Sequence, residues 1–143
     1  MTSIAALIEM VGGSSAVGTV VSNQLELIKL VRVGLPVRAV HELIGSGRIS
    51  RAEADRIVLP RKTLSHREKI GTLTADQSDR LLRVTRIFAI AEECFGNREK
   101  AHAWLRRPTS ALSGETPLEL LDTEEGAREV ENLLGRISHG IAA

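Results

Sequence analysis

The chain is almost without aromatic residues: two Phe, one Trp and no Tyr among 143 residues. Its core must therefore be built from Leu, Ile, Val and Ala. A single cysteine, Cys94, excludes an internal disulfide framework and a multi-cysteine zinc site, and suits a reducing cytoplasm. No apolar run approaches the ~20 residues that a membrane span needs. Residues 1–22 are apolar in patches but lack a basic leader, so a secretory signal is not expected. The C-terminal forty residues hold no His-x-x-x-His spacing, no Cys–His pair in register and no glycine-rich phosphate loop. No activated nucleophile or acid–base pair appears along the chain, so an enzyme is not expected. His41, His66, His102 and His139 fall on four separate elements, which gives no metal-ligand spacing and implies neither metal nor cofactor. Cys94 lies among apolar neighbours, where an inert buried thiol is the ordinary case.

What is present fits a single compact domain or two small ones sharing a core. The hydrophobic fraction of 43% is ordinary for a globular chain. The net charge of +1 hides an asymmetry. Residues 48–86 carry ten Lys and Arg against five Asp and Glu, a balance of +5; residues 109–143 carry two against seven, a balance of −5. The cationic middle suits phosphate. The acidic end would be repelled by phosphate and suits a protein partner.

Capping signals recur at helical intervals while strand-like alternation is scarce, so the chain reads as all-α. A first helix from about Ser3 to Val11 stops at Gly12-Gly13. Residues 14–22 fit a short strand, a loop or an arm. Asn23 caps a helix bearing Leu25, Ile28, Leu30 and Val31, closed by Gly34. Pro36 suits the first turn of the next helix, with Val37, Val40, Leu43 and Ile44, ended by Gly45 and Gly47. Ser50 and Glu53 have capping-box spacing, and Ala54, Ile57 and Val58 form the buried side of the helix they open. After Leu59-Pro60 comes RKTLSHREKIG, with Leu64 and Ile70 as its apolar contacts. Thr74 and Gln77 repeat the capping box for the longest helix, Ala75 to Phe95. That helix has one stripe of Leu81, Val84, Phe88, Ala91 and Phe95 and a second of Leu82, Ile87, Ile90 and Cys94, as expected of a central element. Asn97 caps a short helix ending at Trp104-Leu105. Thr116, Pro117 and Glu119 give a further capping box. Asp122-Thr123 opens a last helix with the stripe Ala127, Val130, Leu134, Ile137 and Ile141, and with Glu124 and Glu125 in the first turn, where the macrodipole favours anions.

Residues 48–71 have the form of a helix-turn-helix, two short helices of which the second is free to enter a major groove. The second helix presents Arg61, Lys62, Ser65, His66 and Lys69 outward, with Thr63 and Arg67 beside them, while Leu64 points inward. Arg48 and Arg51 stand near the start of the motif, placed to clamp the backbone. Arg and Lys suit phosphates and guanine edges; Ser and Thr are short enough for either. The turn is Leu59-Pro60 instead of the glycine-containing turn usual for this motif. A solvated basic helix in a bundle gives the same pattern.

The C-terminal region offers shape instead of chemistry. Trp104, the one tryptophan, precedes a proline-bounded loop, either as a packing residue or as a binding anchor. Gly114 allows a tight turn. Glu124, Glu125, Glu129 and Glu131 form an acidic side of the last helix, which serves equally as a solvated face. The string WLRRP…ALSGETPLELLDTEEGAREVENLLGRISHG resembles the C-terminal toxin-binding region of Xre/MbcA/ParS-type antitoxins, the partners of RES-domain toxins. The likeness continues through SDRLLRVTRIFAIAEECFG and REKAHAWL and, more loosely, RKTLSHREKIG. It spans about the last ninety residues; residues 1–33 carry no family marks.

This resemblance implies an all-helical fold, with an Xre-like helix-turn-helix module followed by a small helical toxin-binding module. The corresponding division is 1–72 and 73–143, the latter including the central helix. It implies a cytoplasmic, non-enzymatic antitoxin that blocks a RES-domain NAD-degrading toxin and represses its own operon by binding operator DNA. Carried over residue by residue, the toxin-facing candidates are Leu112, Gly114, Pro117, Leu121, Asp122, Thr123, Gly126, Arg136, Gly140, Ile141, Ala142 and Ala143. Pro117, Thr123 and Gly114 also have plain folding roles, so Arg136 and the tail carry most of the expectation. The Gly-Ile-Ala-Ala tail, small and ending in a carboxylate, suits a cleft that normally holds a nucleotide. Self-association is expected because such modules bind two-fold sites, through either the central helix or the N-terminal helices. The other reading is a stand-alone helix-turn-helix regulator whose C-terminal module only mediates oligomerisation; an adjacent toxin gene discriminates the two.

Overall fold

The computed structural model describes residues 2–140. Within them lie nine α-helices: α1 Ile4–Met10, α2 Gly13–Val17, α3 Gln24–Val33, α4 Arg38–Gly45, α5 Arg51–Ile57, α6 Arg61–Ile70, α7 Ala75–Phe95, α8 Arg98–Leu105 and α9 Glu124–Ser138. Short 3-10 segments occupy Ser110–Leu112 and Leu118–Asp122. No strand occurs among the described residues, in agreement with the all-helical expectation; one isolated antiparallel bridge joins Pro36 and Thr72. Two compact units are formed, Ser3–Thr85 and residues 86–140 with Thr2. Helix α7 supplies its first half to the former and its second half to the latter.

In the unit Ser3–Thr85 the helix starts are the ones the capping residues dictate. Glu53 N donates to Ser50 Oγ at 3.1 Å while Ser50 N donates to Glu53 Oε1 at 2.9 Å. Thr74 and Gln77 make the same reciprocal pair at 2.9 and 3.1 Å. Asn23 Oδ1 accepts from Glu26 N at 2.9 Å. Each such cap is worth ~1 kcal/mol. The ambiguous stretch after Gly13 resolves into the short helix α2, which packs against α1 and α4. Leu7, Val11, Leu35, Val40, Leu43, Ile49, Leu73, Leu81 and Val84 form an aliphatic core, each at most 3% exposed.

Several expectations need correcting here. Helix α3 packs through Leu27, which is 3% exposed, whereas Leu25 and Ile28 are 58% and 39% exposed. Ile70 is not a packing contact: it is 52% exposed, and α6 has no buried residue at all. Pro36 does not sit in a helix, since α4 starts at Arg38 with Val37 as its cap. Pro36 instead occupies a backbone clasp. Val37 N donates to Gly71 O at 3.0 Å and Leu73 N to Leu35 O at 2.8 Å. In this pairing the bridged residue needs no N–H of its own, so proline is accommodated. The Ser78 hydroxyl of α7, fully buried, accepts from Leu35 N at 2.8 Å and completes the clasp. Gly34 makes it possible. Its φ is +103°, and a Cβ at this position would overlap the carbonyl oxygen of Leu73.

In the unit of residues 86–140, Phe88 is fully buried. Its ring meets the His102 ring edge-on at 5.3 Å, and the Arg106 guanidinium lies 5.9 Å from its centroid. Phe95 packs against Trp104 at 5.6 Å. His102 Nε2 lies 2.9 Å from Glu92 Oε2, joining α8 to α7. The Cys94 thiol points at the Leu134 carbonyl of α9 at 3.6 Å, and burial raises its pKa above the ordinary thiol value. Helix α9 buries Ala127, Val130 and Leu134 as its stripe requires, and Leu133 as well. Ile137 is half-buried; Ile141 lies outside the described residues. The box expected from Thr116 forms in part: Glu119 N donates to Thr116 Oγ1 at 3.2 Å.

The 3-10 segment Leu118–Asp122 packs on α9, and Gly126 lies at the point of closest approach. A Cβ on Gly126 would overlap the carbonyl oxygen of Leu120. Gly34→Ala and Gly126→Ala are therefore each expected to cost about 3 kcal/mol or more of unfolding free energy. Gly45→Ala, which meets no atom within 4 Å, should be neutral or stabilising by up to about 1 kcal/mol. Urea denaturation of the three variants checks this ordering, and a near-neutral Gly34→Ala would contradict the clasp.

Candidate functional site

Helices α5 and α6 form the helix-turn-helix. Their connection needs no glycine: Val58 has φ −110° and Pro60 φ −60°, and no residue from 58 to 60 has positive φ. Val58 and Leu59 are buried and hold the turn in the core. Pro60 stands at the cap of α6 with no side-chain acceptor. The role passes to Asp55 of α5, whose Oδ1 accepts from Arg61 N at 2.6 Å. Sequence reasoning missed Asp55. The available signal was a carboxylate one turn before a helix whose own cap is proline.

The predicted contact residues separate into two groups. Arg61, Lys62, Ser65, His66 and Lys69 are exposed and lie on α6 with no buried residue among them; Arg51 is exposed at the start of α5. Thr63 and Leu64 are half-buried. Arg67 is turned toward the fold: it is half-buried, and its Nε donates to the Thr72 carbonyl at 2.8 Å beside the clasp. Arg48 is half-buried as well, with its backbone N–H 3.4 Å from Ser46 Oγ. The far end of α6 is joined to α4 by His41 Nε2 and Glu68 Oε1, 3.6 Å apart. What remains outward is a one-sided cationic helix.

The candidates of the other unit also separate. Leu112, Pro117 and Leu121 are buried within the unit, and Gly126 is half-buried against Leu120. Thr123 Oγ1 accepts from Gly126 N at 2.9 Å and caps α9. Gly114 closes a loop in which its N–H donates to Thr109 O at 3.0 Å and Thr109 N donates to Glu115 O at 3.1 Å. Exposed are Gly114, Asp122, Thr123, Arg136 and Gly140; Ile141, Ala142 and Ala143 lie outside the described residues. Arg136 continues an exposed ridge of α9 formed by Glu125, Glu129 and Asn132. Sequence reasoning did not single out Asn132, although its helical spacing from Glu125 and Glu129 was the signal. Arg128 lies 3.8 Å from Glu124 and 3.9 Å from Glu125. Exposed pairs of this kind contribute under ~1 kcal/mol, so the ridge is available to another charged surface.

The histidines do not converge. His41 faces Glu68, His102 faces Glu92, His139 Nδ1 lies 2.7 Å from Gly135 O, and His66 is exposed on α6. Among the described residues, no helix is long and apolar enough to cross a membrane.

Comparison with known proteins agrees with this two-part layout. Residues 26–86 match the antitoxin Xre-like helix-turn-helix domain, and residues 91–140 match the antitoxin Xre/MbcA/ParS C-terminal toxin-binding domain. The first match begins at α3, earlier than the family marks legible in the sequence. The chain is 36% identical over 120 residues to "Antitoxin Xre" of Pseudomonas putida, covering 83% of this chain and 75% of the relative. It is 37% identical over 133 residues to "Antitoxin Xre" of Photorhabdus laumondii, covering 89% and 88%. The Yersinia enterocolitica protein of the same name is 32% identical over 128 residues, covering 87% and 86%. With an exposed cationic helix in the matched helix-turn-helix and a separate unit matched as toxin-binding, the chain belongs to the Xre antitoxin family.

Proposed function

We propose that this antitoxin neutralises a RES-domain toxin that degrades NAD, and that it represses its own operon by binding operator DNA as a self-associated species. The observation that carries the reading is the pairing of two unlike surfaces on one chain. The helix α6 exposes Arg61, Lys62, Ser65, His66 and Lys69, and a separate unit has the toxin-binding pattern and an acidic ridge on α9. The resemblance of the last ninety residues to partners of RES toxins supports the identity of the toxin.

On the DNA side, Arg61 and Lys62 touch DNA, while Arg67 acts by holding the clasp. Arg61→Ala and Lys62→Ala should weaken promoter binding in a salt-titrated mobility shift, and each lost phosphate contact should flatten the salt slope by about 0.9. Their melting temperatures should stay near that of the parent chain. Arg67→Ala should instead lower stability by ~1–2 kcal/mol, through the lost charged hydrogen bond to Thr72. Unchanged affinity in both α6 variants would remove this helix from the interface.

On the toxin side, the tail of residues 140–143 enters the toxin's nucleotide cleft, and Arg136 is a further toxin-facing contact on α9. Cells co-expressing the neighbouring reading frame should keep their NAD when the full chain is present and lose it when the chain carries Arg136→Ala with residues 140–143 deleted. Preserved NAD with this variant would assign inhibition to the wider surface of the unit. Preserved NAD without any antitoxin would refute the NAD-degrading partner.

Self-association is supported by exposed apolar residues on α3, interleaved with Lys29 and Arg32. Leu25, Ile28 and Val33 are exposed there, as is Val20 ahead of the helix; Val20 and Val33 line an open groove of about 320 Å³ with Val21, Glu26, Lys29 and Leu30. The alternative surface on α7 is less suited, since Leu81, Leu82, Val84 and Thr85 are all buried. Sedimentation should register a dimer that Ile28→Glu converts to monomer. A dimer that survives the substitution would exclude this face.

A further inference from the structure

The cap of α6 raises a question of charge. The first N–H groups of a helix need acceptors, and Pro60 supplies none from its side chain. Asp55 Oδ1 meets the Arg61 N–H at 2.6 Å. An acceptor is all that this task needs; asparagine caps helices about as well as aspartate. The negative charge adds a small macrodipole contribution, but the hydrogen bond itself can be made by a neutral acceptor. The charge is also placed where it opposes the rest of the surface: Asp55 is exposed, and so are Arg61, Lys62, Ser65, His66 and Lys69 of α6. The first turn of α6 carries no acid of its own.

A helix N-terminus binds phosphate readily, because free N–H groups and the macrodipole act together. With Arg61 and Lys62 in the same turn, an open N-terminus here would hold any DNA backbone. The Asp55 carboxylate takes the Arg61 N–H, one of the groups that such a phosphate would use, and presents a negative charge to an approaching phosphate. We propose that Asp55 is a specificity-determining residue: it closes the N-terminus of the α6 helix to phosphate and so suppresses sequence-independent DNA binding. The inference rests on the operator-binding reading above. Association without sequence preference is held by phosphate contacts, so it bears the repulsion in full. A specific complex draws part of its free energy from base edges, where a carboxylate can accept from the amino group of cytosine. Discrimination is the difference between the two affinities, and a built-in repulsion against the wrong complex widens it.

The test compares the full chain and its variants on two duplexes by fluorescence anisotropy: the promoter fragment upstream of its own reading frame, and poly(dI–dC). Asp55→Asn keeps an acceptor for the Arg61 N–H and loses only the charge, so its melting temperature should fall less than that of Asp55→Ala. Its affinity for poly(dI–dC) should rise roughly five-fold, while promoter affinity changes by less than about two-fold. The specificity ratio then falls. Asp55→Ala loses the cap as well and should melt earlier. Glu9→Gln, which removes an exposed acid from α1, should leave both affinities unchanged. An Asp55→Asn variant that raises both affinities equally, or neither, overturns the proposal, as does an equal rise for Glu9→Gln, which would reduce the effect to net charge. A parent chain that binds neither duplex at low salt refutes the operator reading and this inference with it. A parent chain that binds both, with a silent Asp55→Asn, refutes this inference alone.

Discussion

The clasp that ties residues 35–37 to 71–73 is the constraint on which the helix-turn-helix unit depends. It closes a loop containing α4, α5 and α6, so that all three helices are held between two short stretches of backbone. Its importance follows from what α6 lacks. With no buried residue, this helix is not anchored by an apolar stripe in the manner of an ordinary surface helix. It is held at its ends by polar contacts: Asp55 at the start, and Arg67 to Thr72 with Gly71 to Val37 at the finish. A helix fixed in this way turns Thr63, Leu64 and Arg67 toward the fold and leaves the side of Arg61, Lys62, Ser65, His66 and Lys69 free for a partner.

The other unit uses a different device. Helix α8 is joined to α7 by ring contacts and by the His102–Glu92 pair, and α9 docks through Ala127, Val130, Leu133 and Leu134 and through the close approach at Gly126. The conformation of the loop between α8 and α9 is set by backbone bonds of Thr109, Gly114 and Glu115. Leu112, Pro117, Leu121 and Gly126 belong to this framework. Their place in the family pattern is accounted for by packing, which leaves Gly114, Asp122, Thr123, Arg136 and Gly140 as the exposed candidates among the described residues.

The helix boundaries were legible because their causes are local. Ser50 with Glu53, Thr74 with Gln77, Asn23, Asn97 and Thr123 each act within three residues, and the bounds of α7 follow from its cap and from Gly96. What was not legible depends on residues distant in the chain. Leu25, Leu27 and Ile28 are equally apolar, and only the neighbours of α3 decide that Leu27 is the one buried. Ile70 reads as a core residue until the clasp turns the end of α6 outward. Pro36 looks like a helix starter, because the strand-like partner that claims it lies thirty-six residues away. Arg67 and Lys69 are both cations on one short helix, and nothing in their spacing tells that one of them serves the backbone of Thr72. Resemblance located the C-terminal region but does not separate contact residues from packing residues, since a family pattern preserves both.

The scarcity of aromatic rings has an experimental consequence. Phe88, Phe95 and Trp104 all fall within the unit of residues 86–140, and Trp104 is only 8% exposed. Intrinsic fluorescence excited at the indole band therefore reports on that unit alone, while the aliphatic unit that carries α6 is optically silent. Far-ultraviolet dichroism sees the helices of both. Recording the two signals on one sample separates the loss of one unit from the loss of the other, without a label or an added chromophore.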